Sequence, residues 1–502
     1  MTSSGQPQTL PSVLQSVLDW LAAPLPANPA HDLVALKRFL TEITAAPFPP
    51  AQRLRLLALL QARVNKTSEI LKPKLIDARL PLPDTLRRIA RGLMNVHGIV
   101  GNSLLHNLQD LDTSQALPSA VDVAANVRDL AHNLAEQLQV SLLVATAPPV
   151  GLWLQVHAAL KLVEKFSAGE SQSVAGDVLK GVLALAAVQP ESLTAPEIAI
   201  IIDFLSEFSA AVSIAAKAEE PADGWFWVEE TQDAAPVALA RKPAPLIGHV
   251  SYVSCAKLAE LANQRLAILN DGGAGITQRL SKSAGVEVVR DVLARAHTRW
   301  LSPPKRQEIR RTSHYRVEIC APLTRLWQVL GDNQNMPESE KAALSTQWLV
   351  LNESANGYAM MHVSGAIDDL VAGDVVGVRT APDQPWKICL LRWGRSDNPA
   401  HIEIGLELAS PSGAAPVQIA CQPGEGGGEP AVTPSLLLSM SKRQQGEEVL
   451  FVARNQLPNR RFTMVKEEDN RFSVTECEVQ HMVLQTARVE VVSFRRDYSA
   501  RR

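Results

Sequence analysis

The chain has little of what most catalytic chemistries need. Its five cysteines, Cys255, Cys320, Cys389, Cys421 and Cys477, are odd in number and widely scattered, with no Cys-x-x-Cys pair and no Cys/His spacing of a zinc site. That excludes a disulfide framework and leads us to expect reduced thiols in a cytoplasmic protein. The eleven histidines form no His-Glu-x-x-His pattern, and His362 and His401 read as ordinary strand residues, so no metal and no cofactor are expected. Gly-x-Ser-x-Gly, Walker A and Gly-x-Gly-x-x-Gly patterns are missing, and the glycine-rich run Gly424 to Gly428 lacks the flanking strand and helix of a phosphate loop. Nothing in the sequence supports an enzyme.

Charge of one sign and long apolar runs are also scarce. A net charge of −3 gives no global attraction to nucleic acid or to a membrane surface, so any basic site must be local. The most apolar stretch, Ile198 to Ala216, is interrupted by Asp203 and Glu207 and does not read as a membrane span. The first residues lack the charged start, apolar core and cleavage site of a secretory signal, which again favours the cytoplasm.

What is present is a long, folded chain. With 502 residues and 46% hydrophobic content, two to four domains are expected. After a flexible N-terminus over residues 1–30, apolar residues recur at helical spacing from 31 to 218. Leu36, Phe39, Leu40 and Ile43 share one helical face, as do Leu86, Ile89, Leu93 and Val96, and Trp153, Val156, Leu160 and Val163. Proline clusters at 47–50, 81–83 and 148–149 punctuate these helices by removing backbone donors. Thr194-Ala-Pro-Glu197 is a helix-start signal, with Thr194 placed to cap and Glu197 to reach back. No fixed-period repeat appears, so the expectation is an irregular helical bundle rather than a solenoid.

Residues 219–302 read as a mixed connecting region, with an aromatic, β-favouring Trp225-Phe-Trp227, several prolines, and helices near 257–269 and 286–300. Short strand-like runs then follow at Trp348–Leu351, Tyr358–Val363, Asp374–Arg379, Trp386–Trp393 and His401–Leu408. They predict a small barrel over 303–410, with a helical insertion from Leu323 to Leu344. Residues 411–434 read as a Gly/Pro linker, and 435–502 as a further β-rich unit. The fold class is therefore α+β and multidomain.

Two motifs carry the functional reading. Between Arg299 and Arg316 there are six basic residues, Arg299, Lys305, Arg306, Arg310, Arg311 and Arg316, against one acid, Glu308. Such a run is commonly a solvated surface, but guanidinium forks also grip phosphate and match the O6/N7 edge of guanine. Further on, Asn352-Glu-Ser-Ala-Asn-Gly357 offers an amide for a base edge, a hydroxyl for phosphate, and a glycine that allows either positive φ or close backbone approach. An ordinary strand-end turn is the plainer reading of the same residues.

In these motifs the chain resembles the PilZ family of cyclic di-GMP receptors. Arg306-Gln-Glu-Ile-Arg310 is similar to that family's Arg-x-x-x-Arg motif, and Asn352-x-Ser354-x-x-Gly357 to its Asp/Asn-x-Ser-x-x-Gly motif. The resemblance covers 303–410 and implies a β-barrel that binds cyclic di-GMP through Arg306, Arg310, Asn352, Ser354 and Gly357, with Arg311 able to replace either arginine. It implies a cytoplasmic bacterial receptor that couples binding to a protein partner through the helical region, the segment from Pro303 to Arg311 closing over the ligand. The alternative is a protein-interaction scaffold whose PilZ-like barrel binds no nucleotide. A nucleic-acid polymer as ligand is disfavoured, because the basic run is not interleaved with aromatics.

Overall fold

The computed structural model describes residues 10–26, 28–114, 120–166, 170–304, 308–331, 344–398, 401–421, 431–439, 448–457, 460–468 and 471–497. The chain divides into two compact units: one of Met1–Ala78, Leu82–Pro190 and Ala195–Lys305, the other of Arg79–Pro81, Glu191–Thr194 and Arg306–Arg502.

The first unit is led by helices α1 (Leu10–Ala22), α2 (Pro29–Ala45), α3 (Pro50–Leu71), α4 (Asp84–Ser114), α5 (Ala120–Leu143), α6 (Leu152–Phe166), α7 (Glu170–Ala187) and α8 (Ala195–Phe208). Two start with proline at the first helical position, where the missing N–H costs nothing. At α2 the Asn28 side chain also accepts a hydrogen bond from the Ala30 amide at 3.1 Å. The face of Leu36, Phe39, Leu40 and Ile43 is buried, as are Ile89, Leu93 and Val96 on α4. The helix α8 begins directly after Thr194, and its Glu197 pairs with Arg295. Among the described residues no helix is long and apolar enough to cross a membrane.

The bundle core is not purely apolar. Lys72 donates to Glu136 at 2.6 Å, Ser68 to the same carboxylate at 3.0 Å, and Asn133 donates to Gln61 at 2.8 Å. His97, wholly buried, has Nδ1 2.8 Å from Asn133 Oδ1, while its Nε2 has no partner. Burial brings the His97 imidazole down to about 4, against the opposing pull of Glu136. Burial alone would raise Glu136, but the Lys72 ammonium holds it well below the usual carboxylate range.

Residues 219–302 are not a connection but part of this first unit. Strands β1 (Ser213–Ala215), β2 (Trp225–Glu229), β3 (Val237–Ala238) and β4 (Val250–Ser254) form a sheet in the order β1-β4-β2-β3, followed by α9 (Ala256–Asn270) and α10 (Val286–Leu301). The reason is apolar burial: Trp225, Phe226 and Trp227 are all in the core, and Trp300 stacks on Phe204 with centroids 5.5 Å apart. Polar clamps add to it. Asp203 accepts from the amides of Arg279, Leu280 and Ser281, and Arg299 donates to the Val188 carbonyl just past the end of α7. One arginine of the basic run thus has a structural task.

The second unit holds two closed barrels. The first consists of β5 (Arg311–Cys320), then helix α11 (Leu323–Gly331), and β6 (Thr346–Ser354), β7 (Gly357–Ser364), β8 (Val375–Arg379), β9 (Lys387–Asn398) and β10 (His401–Ser410). Each run expected to be a strand there matches one of these, with Asp374 and Trp386 one residue ahead of β8 and β9. Trp348, Val350, Met360, Cys389 and Ile404 fill its interior. The second barrel is built from β11 (Ala415–Cys421), β12 (Ala431–Ser439), β13 (Glu448–Ala453), β14 (Arg461–Glu468), β15 (Arg471–Gln485) and β16 (Val489–Asp497). Strands in each barrel, counted in chain order, close around the same circuit, 1-2-3-6-5-4. The second barrel repeats the connectivity of the first.

Two expectations are corrected here. The stretch 411–434 is not a linker throughout, because β11 and the start of β12 lie in it, and both Pro416 and Pro434 are accommodated in the β11–β12 pair, where Pro416 faces Leu436 and Pro434 faces Gln418. Its glycine run, Gly424 to Gly428, lies outside the described residues. The segment Leu323 to Leu344 is helical over Leu323–Gly331, and residues 332–343 lie outside the described set. Rather than a detached insertion, α11 joins the barrels: Leu323, Leu326 and Val329 share one core with Cys320, Val375, Trp386 and Ile388 of the first barrel and Leu436, Phe451 and Val491 of the second.

Candidate functional site

The end of the basic run leads into a strand that pairs with the strand bearing the second motif. Arg310 immediately precedes β5, and Arg311 is its first residue, placed opposite Glu353 of β6. Thr312 is opposite Asn352, and a bulge in β5 between Thr312 and Tyr315 breaks the ladder there. Arg306 and Lys305 lie outside the described residues. Arg310 and Arg311 are both exposed, as is Arg316 farther along β5.

The second motif forms the β6–β7 hairpin. Ser354 pairs with Gly357 across the two-residue turn Ala355-Asn356, and the Asn356 carbonyl accepts from the Leu408 amide at 2.9 Å. At Gly357 it is close backbone approach, not positive φ, that requires glycine: a Cβ there would lie 2.2 Å from the Leu406 carbonyl oxygen of β10. The Asn352 side-chain oxygen is shielded from solvent but accepts no hydrogen bond. A buried amide oxygen left unpaired costs about 1–3 kcal/mol, so its place in the motif is one that the fold alone does not reward.

Sequence reasoning missed Glu353, the residue between Asn352 and Ser354. Its carboxylate accepts from the Ser313 hydroxyl at 2.9 Å and from the Tyr315 hydroxyl at 2.6 Å, both on β5. The Tyr315 bond is the chief cause that holds the Glu353 carboxyl below its ordinary range, with Ser313 and the positive charges of Lys387 and Arg311 adding to it. Burial, and then the same carboxylate, push the Tyr315 hydroxyl upward. Lys387 in turn donates to the Tyr358 hydroxyl at 3.2 Å. A glutamate within a polar turn is ordinary, and only the strand pairing shows what it faces.

The guanidinium, amide and hydroxyl groups gathered here are donors suited to an anion and a base edge. The tryptophans of the barrel are spent on packing: Trp348 and Trp386 are buried, and the Trp393 ring occupies the space left by Gly405. Among the described residues no cluster of His, Cys, Asp or Glu could hold a metal ion.

Two family models match the chain. Residues 15–219 match the N-terminal domain of the cyclic-di-GMP receptor FimW, and residues 328–416 match the middle PilZ domain of the same receptor. Together they span more than half of the chain. The first match runs through α1–α8; the second contains Asn352, Ser354 and Gly357 and begins after Arg306, Arg310 and Arg311. No curated protein matches the chain in a sequence search.

Proposed function

The chain belongs to the family of the cyclic-di-GMP receptor FimW and carries its PilZ domain, and from that premise we propose that the first barrel binds cyclic di-GMP at the β5–β6–β7 edge. The observation that carries the assignment is the strand pairing that sets the start of β5, and hence Arg310 and Arg311, beside the Asn352-x-Ser354-x-x-Gly357 hairpin. Guanidinium groups supply bidentate donors for phosphate and for guanine O6/N7, the Asn352 amide reads a base edge, and the Ser354 hydroxyl reaches phosphate. Gly357 contributes space, letting β10 close against the hairpin.

Arg311 is already a ladder residue opposite Glu353, which supports Arg306 and Arg310 as the gripping pair and Arg311 as an accessory charge. The role is binding, with no reaction. Ligand binding biases the barrel between states, and the helical unit carries the output to a protein partner in the cytoplasm. Isothermal titration tests the site. The double variant Arg306→Ala, Arg310→Ala is expected to weaken cyclic di-GMP binding by about 100-fold or more, as two charge-assisted contacts are lost. Unchanged affinity in that folded variant would show that the arginines do not grip the ligand.

A further inference from the structure

We propose that Glu353, the middle residue of the Asn352-x-Ser354 motif, is a positioning residue that locks the arginine-bearing start of β5 to the ligand-facing hairpin in the register needed for nucleotide binding. The proposal rests on the nucleotide-site reading above and adds a residue that the two motifs leave unspecified.

The geometry at this point is unusual. A ladder of backbone bonds would be enough to fix β5 against β6, but the ladder is interrupted: β5 bulges between Thr312 and Tyr315, and β6 has its own irregularity toward β7 between Val350 and Asn352. The two bulges lie side by side, in the two turns of strand that carry the site. Bulges re-aim side chains and weaken local pairing. Across that gap, between the Thr312–Asn352 and Tyr315–Val350 pairs, the Glu353 carboxylate adds a side-chain hold by taking the hydroxyls of both Ser313 and Tyr315, one oxygen each, at 2.9 and 2.6 Å. Ser313 lies within the β5 bulge and Tyr315 at its far end, so the clasp spans the irregularity.

What it fixes is functional. Arg310 and Arg311 directly precede the bulge, while Asn352 and Ser354 flank the clasping residue itself. Arg310 and Arg311 on one strand, and Asn352 and Ser354 on the other, are therefore within three residues of an atom that Glu353 either supplies or holds. A charged acceptor makes such bonds about twice as strong as a neutral one, and the nearby Lys387 and Arg311 favour the ionised form. A binding site loses affinity when its supporting groups let it slip by about 1 Å.

The test is a set of titrations with cyclic di-GMP on the full chain, comparing wild type, Glu353→Ala, Tyr315→Phe and the combined variant, with Glu353→Gln as the shape-preserving control. Glu353→Ala is expected to weaken binding by about tenfold or more and Tyr315→Phe by several-fold. In the combined variant, Tyr315→Phe should bring little further loss, because its partner is already gone. Glu353→Gln, which keeps an acceptor oxygen, should recover part of the affinity. All titrations are run well below the unfolding midpoint of each variant, so a role confined to stability would lower that midpoint and leave affinity unchanged. Wild-type affinity in Glu353→Ala, or tighter binding through relief of repulsion between the carboxylate and phosphate, overturns the proposal while leaving the site assignment standing. A wild-type protein that binds no cyclic di-GMP overturns both.

Discussion

Individual residues carry two sharp expectations. Replacing Gly357 by alanine drives a methyl group to within 2.2 Å of the Leu406 carbonyl oxygen, which backbone on both sides prevents from yielding. A loss of about 2–3 kcal/mol is expected, read as a lower denaturant midpoint, together with weaker nucleotide binding. A midpoint equal to wild type would mean that β10 can move away freely. The second concerns His97, whose imidazole is brought down to about 4 by burial from an ordinary value near 6.5. Between those two values the unfolded chain binds a proton that the folded chain does not, so stability rises with pH. Acidification from pH 6.5 through 4 should therefore cost the helical unit about 3 kcal/mol from this group alone. His97→Gln should flatten the pH dependence of the melting midpoint in that window. The Asn352-x-Ser354-x-x-Gly357 motif was legible because its residue types are themselves the chemistry. Glu353 was not, because its meaning lies in Ser313 and Tyr315, 40 and 38 residues away.

At the scale of elements, helix α11 decides how the second unit holds together. Leu326 is fully buried, and its side chain fits so closely that a Cβ on Gly377 would lie 2.5 Å from it. Trp327, on the same helix, donates from Nε1 to the Val417 carbonyl of β11 at 2.8 Å. Two polar contacts reinforce the joint: Arg488 donates to Asp374 at 3.0 Å, and Thr486 to the Gly373 carbonyl at 2.9 Å. Leu326→Ala is expected to cost about 2–5 kcal/mol. Because the core is shared, hydrogen exchange should rise in both barrels together; loss of protection in the first barrel alone would show that the barrels are independent. The helical periodicity of 323–331 was readable, but its purpose was not. Its apolar face fits two different barrels, and a one-dimensional pattern says only that a face is buried, not against what. The strands β11 and β12 were hidden for a related reason: Pro416 and Pro434 look like breaks until the facing partners Leu436 and Gln418 are known.

The molecule has a helical unit whose core includes a polar cluster, and a pair of barrels of one connectivity, only one of which carries the Asn352-x-Ser354-x-x-Gly357 motif. No lysine or arginine occurs between Arg395 and Lys442, so the segment leading into β11 lacks the guanidinium groups that lead into β5. No Asn or Asp lies anywhere between β12 and the start of β13. The second barrel thus repeats the architecture without those residue types, and it packs on the first through α11. The class of fold was legible from the switch between helical and alternating periodicity near residue 300. The duplication was not, since it resides in strand order and not in repeated sequence. A single cyclic di-GMP site on the first barrel is tested by titrating the full chain with cyclic di-GMP beside its Arg306→Ala, Arg310→Ala variant and an Arg454→Ala, Arg461→Ala variant of the second barrel. Saturable binding that is lost in the first variant and retained in the second is expected; binding that survives the first or is lost with the second would contradict a site on the first barrel.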